Sequence, residues 1–162
     1  MKTAIISLVC LAALSTATAA GAANAQLQAP INQFIDSFNK GDVKGAAAAN
    51  LATGVSIIDE FPPHFWQGPK AFASWVDDLT KNDKAAGITE EKVTLGAVTR
   101  EVLSGDTAYV VMAATYTYLE KGVPMTEPAR MAYALKKTDA GWKIASWTWA
   151  GDVPKPAAKA KP

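Results

Sequence analysis

Two carboxylates and the only histidine of the chain fall within one short stretch of the sequence. Asp59 and Glu60 precede the double proline Pro62-Pro63, and His64 follows it. An acid and an imidazole at this spacing can share a proton, and burial can move the pKa of either group toward neutrality. The prolines stiffen the connection, because neither has a backbone N–H and neither can continue a strand. Asp59 and His64 are therefore candidate catalytic residues. The alternative is that the acids cap a turn and His64 lies in solvent.

Other kinds of reactive site find no support in the sequence. With one histidine and one cysteine in the chain, no spacing suggests a metal cage, and we predict no metal site. No Ser-His-Asp arrangement and no glycine-rich phosphate loop is found, so we predict no cofactor. Lys and Arg total 16 against 15 acids, a balance without the basic surface that nucleic-acid binding needs. We therefore predict no nucleic-acid partner.

The N-terminus has the pattern of an export signal. Lys2 is followed by the apolar run 4–14 and then by the small-residue cleavage motif Ala23-Asn24-Ala25. The apolar run is shorter than the roughly 20 residues that a membrane-spanning helix needs. We predict that residues 1–25 are a cleaved signal peptide, that the protein is secreted or periplasmic, and that it has no transmembrane segment.

The remaining chain divides into a domain and a tail. Residues 26–151 are numerous enough, and apolar enough, to form one domain with a core of its own. Residues 152–162 are rich in Ala, Lys and Pro and contain almost no large apolar side chain. Because such a segment cannot bury enough surface to fold, we predict a disordered basic tail.

Hydrophobic periodicity predicts three helices. The first begins at Pro30, a residue that suits a first helical turn, and the second runs from its cap Asp42 to Ala49. The third opens at Gly68-Pro69. Apolar residues at helical spacing mark the first and third helices: Ile31, Phe34, Ile35 and Phe38 in one, and Phe72, Trp75, Val76 and Leu79 in the other.

Strands make up the rest of the predicted domain. Val55–Ile58 is a short β-branched strand, and 64–66 is a short extended segment. Four long strands follow, over 89–103, 107–119, 123–137 and 142–150. Short glycine-containing turns between them predict an antiparallel meander, and the whole order predicts an α+β domain.

The strand 107–119 is uncharged on both faces. An antiparallel sheet with one wet face should alternate apolar and polar residues more cleanly. We therefore expect the second face to be covered as well, and a homodimer is the simplest way to cover it.

The order of elements resembles the NTF2-like superfamily, and most closely its SnoaL-like and ketosteroid-isomerase-like branch. The resemblance covers about 28–151 and includes Asn39-Lys40-Gly41-Asp42 after the first helix, Gly68-Pro69 before the third, and Gly141-Trp142-Lys143-Ile144 in the last strand. It implies a cone in which three N-terminal helices pack in a strongly curved antiparallel sheet, with an apolar pocket at the open end. Members are often dimers through the outer sheet face.

The resemblance also implies roles for particular positions. The general-base aspartate of the isomerases falls on or next to Asp59. Their oxyanion-binding tyrosine falls on Phe34, which has no hydroxyl, and their second oxyanion acid falls near Arg130 or Met131. The chain thus keeps the base and lacks the groups that stabilise the oxyanion.

Aromatic residues are numerous for so small a domain, and the resemblance places several of them around the pocket. The predicted ligand-binding lining is Phe34, Phe38, Trp66, Tyr116, Met131 and Trp147.

Three functions remain open from the sequence. The leading one is an exported domain that binds a small, mainly apolar molecule. The second is a SnoaL-like enzyme, of isomerase, dehydratase or cyclase type, that uses Asp59 as general base. The third is a non-catalytic structural or accessory dimer. A cavity beside Asp59 would favour the first two functions, and a raised carboxyl pKa there would favour the enzyme.

Overall fold

The computed structural model describes residues 24–158, and both residues 1–23 of the predicted signal peptide and the last four residues of the tail lie outside them. The elements in chain order are α1 (Ala25–Asn39), α2 (Val43–Ala49), β1 (Val55–Ile58), β2 (Phe65–Gly68), α3 (Ala71–Ala86), β3 (Ile88–Ser104), β4 (Thr107–Glu120), β5 (Val123–Thr138), β6 (Gly141–Gly151) and β7 (Lys155–Pro156). No helix within the described range is long and apolar enough to cross a membrane.

The helices begin and end where capping residues are available. The side chain of Asn24 accepts a hydrogen bond from the Gln26 N–H, and α1 consequently begins at Ala25, five residues before the predicted start. Pro30 therefore lies inside the helix. The Asp42 side chain caps α2 as predicted, by accepting from the Gly45 N–H at 2.9 Å. Helix α3 ends at Gly87, whose φ of 74° is a left-handed conformation that glycine adopts without strain.

The seven strands form one curved, unclosed sheet in the order β2-β1-β6-β5-β4-β3, with β7 paired to β5. The predicted meander is confirmed for β3 to β6, whose neighbours pair antiparallel. The sheet is nevertheless mixed, because β1 runs parallel to β6. The prediction of a fully antiparallel sheet with three N-terminal helices is wrong in these two details, since α3 also follows the β1–β2 hairpin.

Part of the segment predicted to be a tail is paired with the sheet. Lys155–Pro156 pairs with Met125 and Thr126, and the Ala157 N–H donates to the Pro124 carbonyl at 2.8 Å. This end of β5 extends beyond β6, so its outer edge has unpaired backbone groups that the returning chain can bind.

The core lies between the helices and the concave face of the sheet. On β4 every second residue from Ala108 to Ala114 is buried and faces α1, which buries Ile31, Phe34 and Ile35. The neighbouring residues of β4 face the convex side, where Tyr109 and its cross-strand partner Val102 are exposed. The space between the helices and the concave face of the sheet is therefore where the main cavity lies.

Candidate functional site

A cavity of about 100 Å³ lies between α1, α3 and the concave face of the sheet. Most of its wall is aromatic or aliphatic, and the residues that form this part include Phe34, Ile35, Phe38, Trp75, Leu79, Val93, Tyr116, Met131, Trp147 and Trp149. An engineered cavity of about 150 Å³ in another protein is large enough for benzene. The space here is of the same order, so it suits a ligand of about one ring, and a molecule as large as a steroid does not fit without movement of the lining side chains.

Rings from two helices and one strand pack together at the inner end of the cavity. Phe34 of α1 lies 5.3 Å from Trp147 of β6, and Trp75 of α3 lies 5.0 Å from Trp147 at a nearly perpendicular angle, measured between ring centroids. Such edge-to-face contacts fix ring orientations and stabilise a packed wall. The indole N–H of Trp147 is buried and has no acceptor among residues 24–158.

Asp59 supplies a carboxyl group to this apolar space. It directly follows β1, in which Val55 and Ile57 are buried, and the same alternation directs Asp59 toward the interior. One carboxylate oxygen accepts the Trp75 indole N–H at 2.9 Å, and the other accepts the Glu60 backbone N–H at 2.8 Å. Burial raises the pKa of Asp59 from 3.8 to about 6, although these two hydrogen bonds and the nearby His64 act in the opposite direction. The group therefore titrates near neutral pH.

A second group of acids lies where α3 meets β3 and β4. Asp83 lines the cavity, and burial together with the charge of Glu91 raises the pKa of Asp83 to about 7. The Tyr116 hydroxyl donates to Glu91 at 2.6 Å. Burial, followed by this hydrogen bond, raises the pKa of Tyr116 above its ordinary value. A second hollow of about 190 Å³, bounded partly by α2, is lined by both Asp83 and Glu91.

Glu127 is a buried acid on the concave face of β5. Its cross-strand partner is Tyr116, which lines the cavity, and its own side chain is 0% exposed. Oε1 of Glu127 accepts the Trp149 indole N–H at 2.7 Å, while Oε2 has no donor among the described residues other than the carboxyl of Glu60 in its protonated form. A Cβ on Gly151 would overlap this carboxylate, so glycine leaves the space that Glu127 occupies.

Glu60 lies beside Glu127 at the solvent-exposed rim of the cavity. Desolvation and then the charge of Glu127 raise the pKa of Glu60 to about 7. Burial also raises the pKa of Glu127. Two carboxyl groups this close retain a proton more readily than either would alone.

The cavity is acidic and lacks positive charge. Its described lining contains Asp59, Glu60 and Asp83 but no Lys, Arg or His. Within the part of the chain that the structure describes, the one ion pair joins Lys81 to Asp78, outside the cavity. No group of three or more His, Cys, Asp or Glu between residues 24 and 158 could hold a metal ion.

The structure brings most of the predicted site residues together. Asp59 lines the cavity together with five of the six predicted lining residues: Phe34, Phe38, Tyr116, Met131 and Trp147. Trp66 does not line it, because its indole N–H donates to Asp78 and its ring packs on Phe61. His64 does not line it either. It is exposed at a positive φ of 70°, and its Nδ1 lies 3.4 Å from the Asp59 carbonyl oxygen rather than from the carboxylate.

Sequence reasoning missed three of the acids. Glu127 falls on the inward parity of β5 among Met125, Ala129, Met131 and Tyr133, and a single charge in an otherwise uncharged row is a signal that could have found it. Asp83 and Glu91 carry no such signal, because the sequence does not show that α3 turns Asp83 toward β3.

Comparison with protein families identifies the class to which the fold and site belong. A model described as a SnoaL-like domain matches residues 27–149. The chain therefore belongs to the SnoaL-like family, as its order of elements predicted. A comparison with curated protein sequences finds no match.

Solved structures share the fold at low sequence identity. A ketosteroid isomerase-like protein from Erwinia carotovora atroseptica is 19% identical with a TM-score of 0.62, over 80% of this chain and 96% of that one. An NTF2-like superfamily protein from Salmonella enterica is 17% identical with a TM-score of 0.62, over 81% and 89%. Hexachlorocyclohexane dehydrochlorinase LinA-type3 from Novosphingobium barchaimii is 13% identical with a TM-score of 0.69, over 84% and 90%.

Proposed function

We propose that this protein binds a small, mainly apolar molecule in the cavity beside Asp59. The observation that carries the proposal is an aromatic cavity with the hydrogen-bonded carboxyl of Asp59 at its wall. Such a combination of apolar lining and few polar groups is typical of ligand sites. The unpartnered indole N–H of Trp147 supports it, since a ligand oxygen could accept this buried donor.

Benzyl alcohol is a suitable probe, because it combines one ring with one hydroxyl that can both donate and accept. We expect calorimetry at pH 7 to show one site with a dissociation constant below about 1 mM, which corresponds to about −4 kcal/mol. Leu79→Trp should abolish binding by filling the cavity, since Leu79 lines it. The matched control is Leu103→Trp, at an exposed position near the end of β3. Absence of binding to the wild type, or equal binding by Leu79→Trp, would refute the proposal.

A proton-transfer enzyme is the second candidate, favoured by the pKa of Asp59. A base with a pKa of about 6 is ionised at neutral pH and still basic enough to accept a proton. The isomerase oxyanion groups are missing at Phe34 and Met131, which both line the cavity. A protonated Asp83, with its pKa of about 7, could donate a hydrogen bond in their place. One solved structure with this fold is named a dehydrochlorinase.

Exchange of the α-protons of cyclopentanone in D₂O, followed by NMR, separates the two candidates. In the enzyme, Asp59→Asn should slow the exchange by about 10²–10⁴-fold, the usual contribution of a general base. In a binding protein, exchange stays at the buffer rate, and Asp59→Asn changes benzyl alcohol binding by only about 1–3 kcal/mol. Asp139→Asn, in the exposed β5–β6 turn, is the matched control. Exchange at the buffer rate with the wild type would exclude the enzyme for this class of substrate.

A further inference from the structure

Three carboxyl groups line the cavity, and two more accept hydrogen bonds from residues of its lining. Asp59 and Glu60 follow β1, Asp83 lies on α3, Glu91 on β3 and Glu127 on β5. They are close enough to affect one another: the charge of Asp59 contributes to the raised pKa of Asp83, and that of Glu127 to the raised pKa of Glu60. A shared field of negative charge therefore acts on whatever enters the cavity.

No ion pair in the described chain compensates this charge. None of the five carboxyls takes part in an ion pair within residues 24–158, and His64, whose charge is the smallest of the influences on the pKa of Asp59, is exposed and does not line the cavity. Uncompensated buried charge lowers stability, and proteins normally pair it. The arrangement is thus costly for the protein alone, which points to a partner from outside.

Glu127 adds a buried acceptor to this group of acids. Its side chain is completely buried, and Oε2 has no donor among the described residues except the carboxyl of Glu60 when that group holds a proton. The glycine at 151 is what leaves room for this carboxylate. A buried acceptor without a donor is rare in folded proteins and calls for a specific explanation. Above the pKa of Glu60, at about 7, Oε2 loses this donor, and a donor carried by a ligand would supply one.

The aromatic wall suits the same kind of ligand. Trp75, Trp147 and Trp149 all line the cavity, and Trp75 and Trp149 each donate an indole N–H to one of the acids. The faces of aromatic rings attract organic cations. The cavity therefore has aromatic ring faces that can contact both the apolar part and the positive charge of such a ligand. It also has carboxylates that can accept hydrogen bonds from an ammonium group.

We propose that the ligand of this cavity is a small apolar amine, bound in its protonated form with the ammonium group among Asp59, Asp83 and Glu60 and the apolar part against Phe34 and Trp147. This proposal rests on the binding function proposed above and specifies its ligand class. Neutral apolar molecules of the same shape bind more weakly, and apolar carboxylates are excluded by like charge.

Three probes of one shape test the charge preference: benzylamine, benzyl alcohol and benzoate, titrated by calorimetry at pH 8. We expect benzylamine to bind at least about tenfold more tightly than benzyl alcohol, and benzoate not to bind in the millimolar range. Benzyl alcohol binding equal to or tighter than that of benzylamine would overturn the amine proposal and leave the binding function standing. No binding of any probe would overturn both.

Two single variants assign the preference to the cavity. Asp83→Asn and Glu60→Gln should each reduce the ratio of benzylamine to benzyl alcohol affinity by about threefold or more, because each removes one carboxylate next to the ammonium group. Continued binding of benzyl alcohol reports that the variant is folded with an intact cavity. Asp139→Asn removes a carboxylate in an exposed turn and should leave the ratio unchanged. A ratio that stays the same in both cavity variants would overturn the proposal.

Discussion

Replacement of Asp59 by Asn should stabilise the folded protein in a way that depends on pH. The free energy of unfolding of Asp59→Asn, measured relative to that of the wild type, should be greater at pH 8 than at low pH. The folded-state pKa of about 6 lies above the ordinary value of 3.8, so between these values the folded state holds a proton that the unfolded state has released. Rising pH therefore removes stability through this interval, and the loss is complete above pH 6. Asn cannot ionise and does not suffer the loss.

The magnitude follows from the same two values. Each pKa unit is worth about 1.4 kcal/mol, so the rise from 3.8 to about 6 corresponds to about 3 kcal/mol. Asn also changes the hydrogen bonds from Trp75 and from the Glu60 N–H, but that effect is present at every pH. This pH-independent effect therefore cancels when the stability difference between the two proteins at pH 8 is compared with their difference at low pH. The pH-dependent gain of about 3 kcal/mol corresponds to about 10 °C in melting temperature for a domain of this size.

Urea unfolding followed by tryptophan fluorescence at pH 4 and at pH 8 measures this difference. The free energy of unfolding of Asp59→Asn minus that of the wild type should increase by about 2–3 kcal/mol from pH 4 to pH 8. Asp139→Asn serves as control for the removal of one negative charge, because Asp139 lies in an exposed turn. An increase below about 1 kcal/mol, or a decrease, would show that Asp59 is not buried in the way described.

Four further results are expected. Benzylamine affinity should weaken as the pH falls from 8 to 5, because the cavity carboxylates then take up protons. The pKa is about 7 for Glu60 and Asp83 and about 6 for Asp59. Calorimetry that shows constant affinity over this range would contradict the expectation. Gly151→Ala should lower the free energy of unfolding by about 1–3 kcal/mol through its overlap with Glu127, and should cost less in a Glu127→Ala background, as measured by urea unfolding of the four proteins. N-terminal sequencing of exported protein should give Gln26, and retention of Met1 would contradict a cleaved signal. Light scattering at micromolar concentration should give the mass of a dimer, and a single-subunit mass would contradict the expectation drawn from the uncharged faces of β4.

Local patterns in the sequence were sufficient for the long strands and their turns. The predicted bounds of β3 to β6 lie within one residue of the observed bounds at every end, because glycine-containing turns mark these ends locally. The parallel pairing of β1 with β6 was not predictable in this way. It joins Ile57 to Trp147, and no short-range pattern specifies a contact between residues so far apart in the chain.

The candidate site was predictable to the extent that it depends on the parity of strands and the faces of helices. Phe34 and Phe38 lie on the apolar face of α1, and Tyr116 lies on the buried parity of β4, so periodicity places them inward. Periodicity also places Trp66 inward, and this residue is buried. Its indole, however, contacts Asp78 and not the cavity. Periodicity distinguishes inside from outside, whereas the choice between core and cavity depends on how the elements pack.

The central claim is that a small apolar ligand occupies the cavity, and the indole N–H signals of the five tryptophans test it most directly. In a ¹⁵N–¹H spectrum titrated with benzylamine, the signals of Trp75, Trp147 and Trp149, which line the cavity, should shift together along one binding curve. The signals of Trp66 and Trp142, which do not line it, should remain in place. Shifts confined to Trp66 and Trp142, or no shift at millimolar benzylamine, would contradict the account.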